Sequence, residues 1–65
     1  MKHYTVTIAN LLEDASRDVV VDGNDVYLAH KQAIMRECDL SEEVVRIIDP
    51  NDVEVFNLTS GFSKK

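Results

Sequence analysis

Apolar and polar residues alternate from position 3 to 9, His-Tyr-Thr-Val-Thr-Ile-Ala, with Tyr4, Val6 and Ile8 on one side and His3, Thr5 and Thr7 on the other. That period of two, in a run rich in β-branched residues, predicts a strand buried on one side. The alternation breaks over Asn10–Ser16 and returns over Arg17–Val21, which predicts an antiparallel hairpin with a long, seven-residue connection. Asp22-Gly23-Asn24-Asp25 then supplies a turn glycine and acceptor side chains suited to the free N–H groups of a helix start. A helix is expected over about Asp25–Glu37. At 100° per residue, Val26, Ala29, His30 and Ala33 fall on its inner face, flanked by Tyr27 and Ile34, while Leu28 and Met35 fall on its outer face.

Beyond Cys38-Asp39-Leu40, Ser41-Glu42-Glu43 can cap a second helix, but Val44-Val45-Arg46-Ile47-Ile48 has the β-branched density of a strand, and a strand is the expectation. Asp49-Pro50-Asn51-Asp52 has the composition of a type I turn. Val53–Leu58 predicts a fourth strand, and residues 59–65, with Gly61, two serines and two terminal lysines, read as a polar, flexible C-terminal tail. One small domain over 1–58 follows: an α+β, two-layer β-β-α-β-β sandwich with a four-stranded antiparallel sheet in the order 2-1-3-4 and one helix on one face. Strict alternation leaves Val20, Val44, Ile48 and Phe56 on the uncovered face beside His3, Thr5, Thr7 and Arg46. A face of that mixed character predicts a partner.

Composition narrows the class. The chain has 65 residues, 45% of them hydrophobic, and no uninterrupted apolar run approaches the length of a membrane span, so a soluble domain is expected. So small a domain buries about 60% of the surface its unfolded chain exposes, and a second subunit is a common source of further burial, hence the expectation of a homodimer. Cys38 is the only cysteine, which suits a reducing cytoplasm better than an oxidising exterior. The opening Met-Lys-His-Tyr-Thr leads into alternating residues, so no export segment is expected.

Candidate chemistry is sparse. Val20–Val26 recurs in altered form at Ile47–Val53, and the simplest account is that both stretches end a strand, where Asp and Asn side chains accept from nearby backbone amides. Neither fits a calcium loop: counted from Asp22 the fifth and twelfth positions are Val26 and Ala33, and from Asp49 they are Val53 and Ser60. His3, His30 and Cys38 are too few for a zinc centre within one chain, and no cofactor or metal is expected. Cys38 reads as a small, partly buried apolar residue and His30 as a packing histidine. Adjacent acids such as Glu13-Asp14 and Glu42-Glu43 point apart and lack the facing geometry of an acid–base pair. Gly23 and Gly61 form no phosphate loop. An enzyme is not expected.

Charge is the remaining signal. The net charge is −5, and between positions 37 and 54 seven acids, Glu37, Asp39, Glu42, Glu43, Asp49, Asp52 and Glu54, face Arg46 alone. Such a surface repels nucleic acid, so no direct nucleic-acid contact is expected, and it steers the protein toward a basic surface on another protein. A very short acidic chain of this pattern resembles the accessory or inhibitor proteins of bacteriophages and mobile elements. The expectation is therefore a protein-interaction module that binds, and by carboxylate-for-phosphate mimicry inhibits, a larger protein such as a nucleic-acid-processing enzyme. The alternative is an assembly subunit that joins a complex by sheet augmentation.

Overall fold

In a computed structural model, residues 2–62 are described. Strand β1 (Lys2–Asn10) pairs antiparallel with β2 (Ala15–Gly23) in nine consecutive partners, from Lys2 with Gly23 to Asn10 with Ala15. The connection is thus four residues, shorter than the break in alternation implies. Asn10 explains the tight closure: its Oδ1 accepts from the backbone N–H of Leu12 (3.0 Å) and of Glu13 (3.1 Å) and organises the turn. Asp14 completes it at φ 52, a conformation Asp tolerates better than most residues.

Helix α1 (Val26–Arg36) begins where the chain dictates. Asp25 is extended (φ −149, ψ 176) and its side chain accepts from the N–H of Leu28. Ala29 and Ala33 are fully buried against the sheet, and their small size lets the helix lie close. Gly23 is required by the same closeness. A Cβ there would sit 2.9 Å from the Ala29 nitrogen and 3.3 Å from its Cα, both backbone atoms that cannot swing aside.

Strand β3 (Glu42–Ile48) pairs antiparallel with β1, β4 (Glu54–Asn57) pairs with β3, and β5 (Gly61–Phe62) pairs with β4. The sheet order is β2-β1-β3-β4-β5. The α+β class and the antiparallel sheet under one helix stand as expected, and the expected order is retained within a sheet of five strands instead of four. The fifth lies in the segment expected to be a flexible tail. Phe62 holds it there, with ring centroids 4.6 Å from Tyr27 and 4.7 Å from Phe56. Positions 63–65 of that expected tail lie outside the described residues.

The second correction concerns faces. Val44 (3% exposed) and Phe56 (7%) were expected on the open face but belong to the core with Tyr4, Val6, Ile8, Val21, Ala29, Ala33 and Ile47. Two irregularities account for this. On β3, Thr7 pairs with Arg46 but Ile8 pairs with Val44, so Val45 is an extra residue; on β4, Ile47 pairs with Phe56 but Ile48 with Glu54, so Val55 is another. Each bulge shifts the parity of its strand by one and turns the next apolar residue inward. Of the four apolar residues expected outside, only Val20 (65% exposed) and half-buried Ile48 remain on the open face.

That face is otherwise polar and linked within itself. The hydroxyl of Thr7 donates to Asp18 Oδ1 at 2.7 Å, and His3 Nδ1 is bonded to the Asp22 carboxylate. The β3–β4 turn closes with the Asp52 N–H donating to the Asp49 carbonyl (3.0 Å). The Asp49 carboxylate accepts from Asn51 and Val53, each at 2.9 Å. Asp49 and Asp25 thus both serve backbone amides, as expected for the two related stretches.

Candidate functional site

The seven acids expected to share a face do not. β3 is seven residues long, so its ends stand about 20 Å apart at the ordinary rise of a strand. Glu37, Asp39, Glu42 and Glu43 lie toward its start, whereas Asp49, Asp52 and Glu54 lie at the opposite end of the sheet. The first group gains neighbours that sequence distance concealed. A backbone hydrogen bond from Leu11 N–H to the Ser41 carbonyl (2.8 Å) joins the β1–β2 turn to the loop before β3, which brings Glu13 and Asp14 to the same end.

Arg17 organises this end. As the Cα partner of Ile8 it faces the helix side at the sheet edge. It donates from Nε and Nη2 to the two carboxylate oxygens of Glu42 (3.3 and 3.2 Å), and from Nη2 to the Glu37 carbonyl at the helix C-terminus. It also lies 3.6 Å from Glu37 Oε1. Glu42 accepts a further bond from the Asp39 N–H (3.0 Å), while its own N–H donates to the Asp39 carbonyl (3.0 Å). These contacts hold the Glu42 carboxyl below the usual carboxylate range, first through the Arg17 bond and then through the Asp39 amide, and the same pairing raises Arg17. Glu42 is therefore a structural acid, its side chain nearly hidden, and unsuited to the direct contact with a partner expected of it. Asp39 is exposed, and Glu43 is half-buried, paired across to Ala9.

The most exposed large apolar side chains described are at this end too. Leu40 is fully exposed, Leu12 is 84% and Leu11 66% exposed, and Met35, in the last turn of α1, is 70% exposed. Ile34, Cys38, Asp39, Leu40 and Glu42 line a shallow groove of about 590 Å³ between the end of α1 and the loop. Sequence reasoning singled out Met35 but passed over the three leucines. Leu11-Leu12 inside a polar turn was the available signal. Leu28, the other outer-face helix residue, is 40% exposed one helical turn from the opposite end.

Cys38 and His30 act as packing residues. Burial, then Glu42, pushes the Cys38 thiol up, away from the thiolate a nucleophile needs. The His30 ring lies 4.8 Å from Phe56 and 5.5 Å from Phe62, and burial lowers its pKa. Among the described residues no group of three or more His, Cys, Asp or Glu is placed to hold a metal ion, and no helix is long and apolar enough to cross a membrane. No family model, curated protein or solved structure matches the chain.

Proposed function

We propose that this chain is a non-enzymatic protein-interaction module that meets a basic surface of a larger protein with the end built from the β1–β2 turn, the α1 C-terminus and the loop before β3. One observation carries this: Leu11, Leu12 and Leu40 stand exposed where Glu13, Asp14, Asp39 and Glu43 gather. Apolar anchors supply affinity once water is displaced, and a charged rim supplies encounter rate and discrimination. Where the basic surface is a nucleic-acid groove, occupancy by these carboxylates blocks it, and the module acts as an inhibitor. Capture of partners from a lysate at low and high salt tests this, followed by kinetics of the captured pair. Glu43→Lys and Asp39→Lys slow association and leave dissociation nearly unchanged. An association rate indifferent to both salt and these changes rejects the electrostatic part.

A second reading, an assembly subunit, is favoured by β2, which forms a sheet edge nine residues long with no bulge and no proline. Such an edge offers unpaired backbone groups for augmentation by another strand, including that of a second copy. Under it, Val20→Asp abolishes assembly measured by mass in solution, and the Asp39 and Glu43 changes are silent.

A further inference from the structure

We infer that β2 pairs antiparallel with β2 of a second copy of this chain, in the register that sets Val19 opposite Val19 on a twofold axis and joins two five-stranded sheets into one. The inference rests on the second reading above, augmentation at β2, and names its partner and its register.

The two edges of the sheet differ. β5 is two residues long, whereas β2 presents nine residues without proline or bulge, each paired to β1 on its other side. A charge turned toward the core side is one way an edge is kept from pairing, and Arg17 is the residue of β2 placed to do that. It points elsewhere. Its guanidinium reaches across β1 to Glu42 on β3 and to the Glu37 carbonyl, away from the free edge. Beyond it stand Val19, half-buried, and Val20, 65% exposed.

This edge is complementary to itself. A twofold axis perpendicular to the sheet reverses the second strand and keeps both helices on one face. Val19 is midway between Ala15 and Gly23, so only an axis through Val19 pairs all nine residues. That register sets Ser16 opposite Asp22, hydroxyl to carboxylate, and Asp18 opposite Val20. Moving the axis to Val20 sets Asp18 opposite Asp22, and moving it to Asp18 sets that carboxylate opposite its own copy; like charges directly opposed destabilise a strand pair. The register that uses the whole edge is thus also free of direct acid–acid opposition. Reversal carries the two β1–β2 turns, with Glu13 and Asp14, to opposite ends of the dimer, so the acidic ends stay apart. Once β2 is paired only the two-residue β5 edge is left, and assembly closes at two copies.

The test uses the full chain. Its mass in solution, followed on dilution, reports a dimer that dissociates to monomer. Ser16→Cys chains mixed with Asp22→Cys chains form a disulfide under mild oxidation, because the two positions face each other across the join. Either variant alone does not, since like positions then stand about 20 Å apart along the strand. Cys38 stays in place, with the parent chain as control and the bridge located by peptide mass. Val20→Asp, which opposes a carboxylate to Asp18 twice in the dimer, raises the dissociation constant by about tenfold or more; Val20→Lys, which opposes an ammonium, dimerises at least about ten times more tightly than Val20→Asp. Val20 is exposed, so the circular dichroism of the diluted variants matches that of the parent chain. Equal weakening by both Val20 variants, or a bridge between two Ser16→Cys chains, overturns the inference while leaving augmentation at β2 standing. A chain monomeric at every concentration overturns it too, and leaves the edge to an unlike strand. A dimer with no bridge and no response to either Val20 variant overturns the inference and the augmentation reading together.

Discussion

The two faces of the sheet are made from interleaved residues of the same strands yet behave as different materials. Toward the helix, Tyr4, Val6, Ile8, Val21, Val44, Ile47 and Phe56 are all buried; on the other side, His3, Thr5, Thr7, Asp18, Asp22 and Arg46 dominate, with Val20 and Ile48 between them. The polar groups of the open face are at least partly exposed or bonded to one another, and isolated apolar residues are ordinary at a surface. The most exposed large apolar side chains described are instead concentrated at one end of the molecule, where Leu11, Leu12 and Leu40 stand out from the sheet.

Ile47 and Ile48, adjacent in the chain and on opposite faces, give the sharpest test of that contrast. Ile47→Ala empties a fully buried site and is expected to cost about 2–5 kcal/mol, a large fraction of the stability of so small a domain. Ile48→Ala, on the open face, is expected to cost about 1 kcal/mol, the span of strand propensity. Urea unfolding of both variants measures the difference, and equal losses would mean that the open face is packed after all. Next in size is Gly23→Ala, where the new methyl group presses on the backbone of Ala29; overpacking of this kind costs about 1–3 kcal/mol.

Smaller again is the effect of pH through His30. Its folded-state pKa lies below the ordinary value of 6.5, so the unfolded chain binds the proton more readily. Its contribution to stability is present above 6.5 and is lost as pH falls from there through the lowered folded-state value, after which it levels off. His30→Gln flattens that part of the profile, as thermal midpoints across the range will show. The smallest effect expected is that of Val20→Thr, within about 0.5 kcal/mol of the parent chain, because the side chain is already mostly in water.

Much of this architecture is legible in the residues. The alternation of Tyr4, Val6 and Ile8, the cap at Asp25, the alanine pair of the helix and the Asp49-Pro50 turn each carry their cause in local chemistry, and so they predict correctly. The β-branched run 44–48 also prevailed over the capping pattern at Ser41-Glu42-Glu43. What escaped was non-local. Nothing at Val45 or Val55 announces an extra residue, because a bulge is chosen by which side chains must turn inward after the sheet has formed. The strand at Gly61–Phe62 is held by the contacts of Phe62 with its hairpin partner Phe56 and with Tyr27, the latter far from it in sequence. The acidic end escaped for a related reason: a count along the chain merged acids from both ends of β3 and missed those brought in by the β1–β2 turn.

The extra residue in β3 gives that strand an unusual tolerance of a change in length. Removing Val45 leaves Val44, Arg46 and Ile47 consecutive opposite Ile8, Thr7 and Val6, so strict alternation alone then points both Val44 and Ile47 inward. A single codon lost there would therefore regularise the strand and keep inside and outside as they are, whereas one lost within β1, which has no spare residue in its pairing with β2, would exchange them along part of that strand.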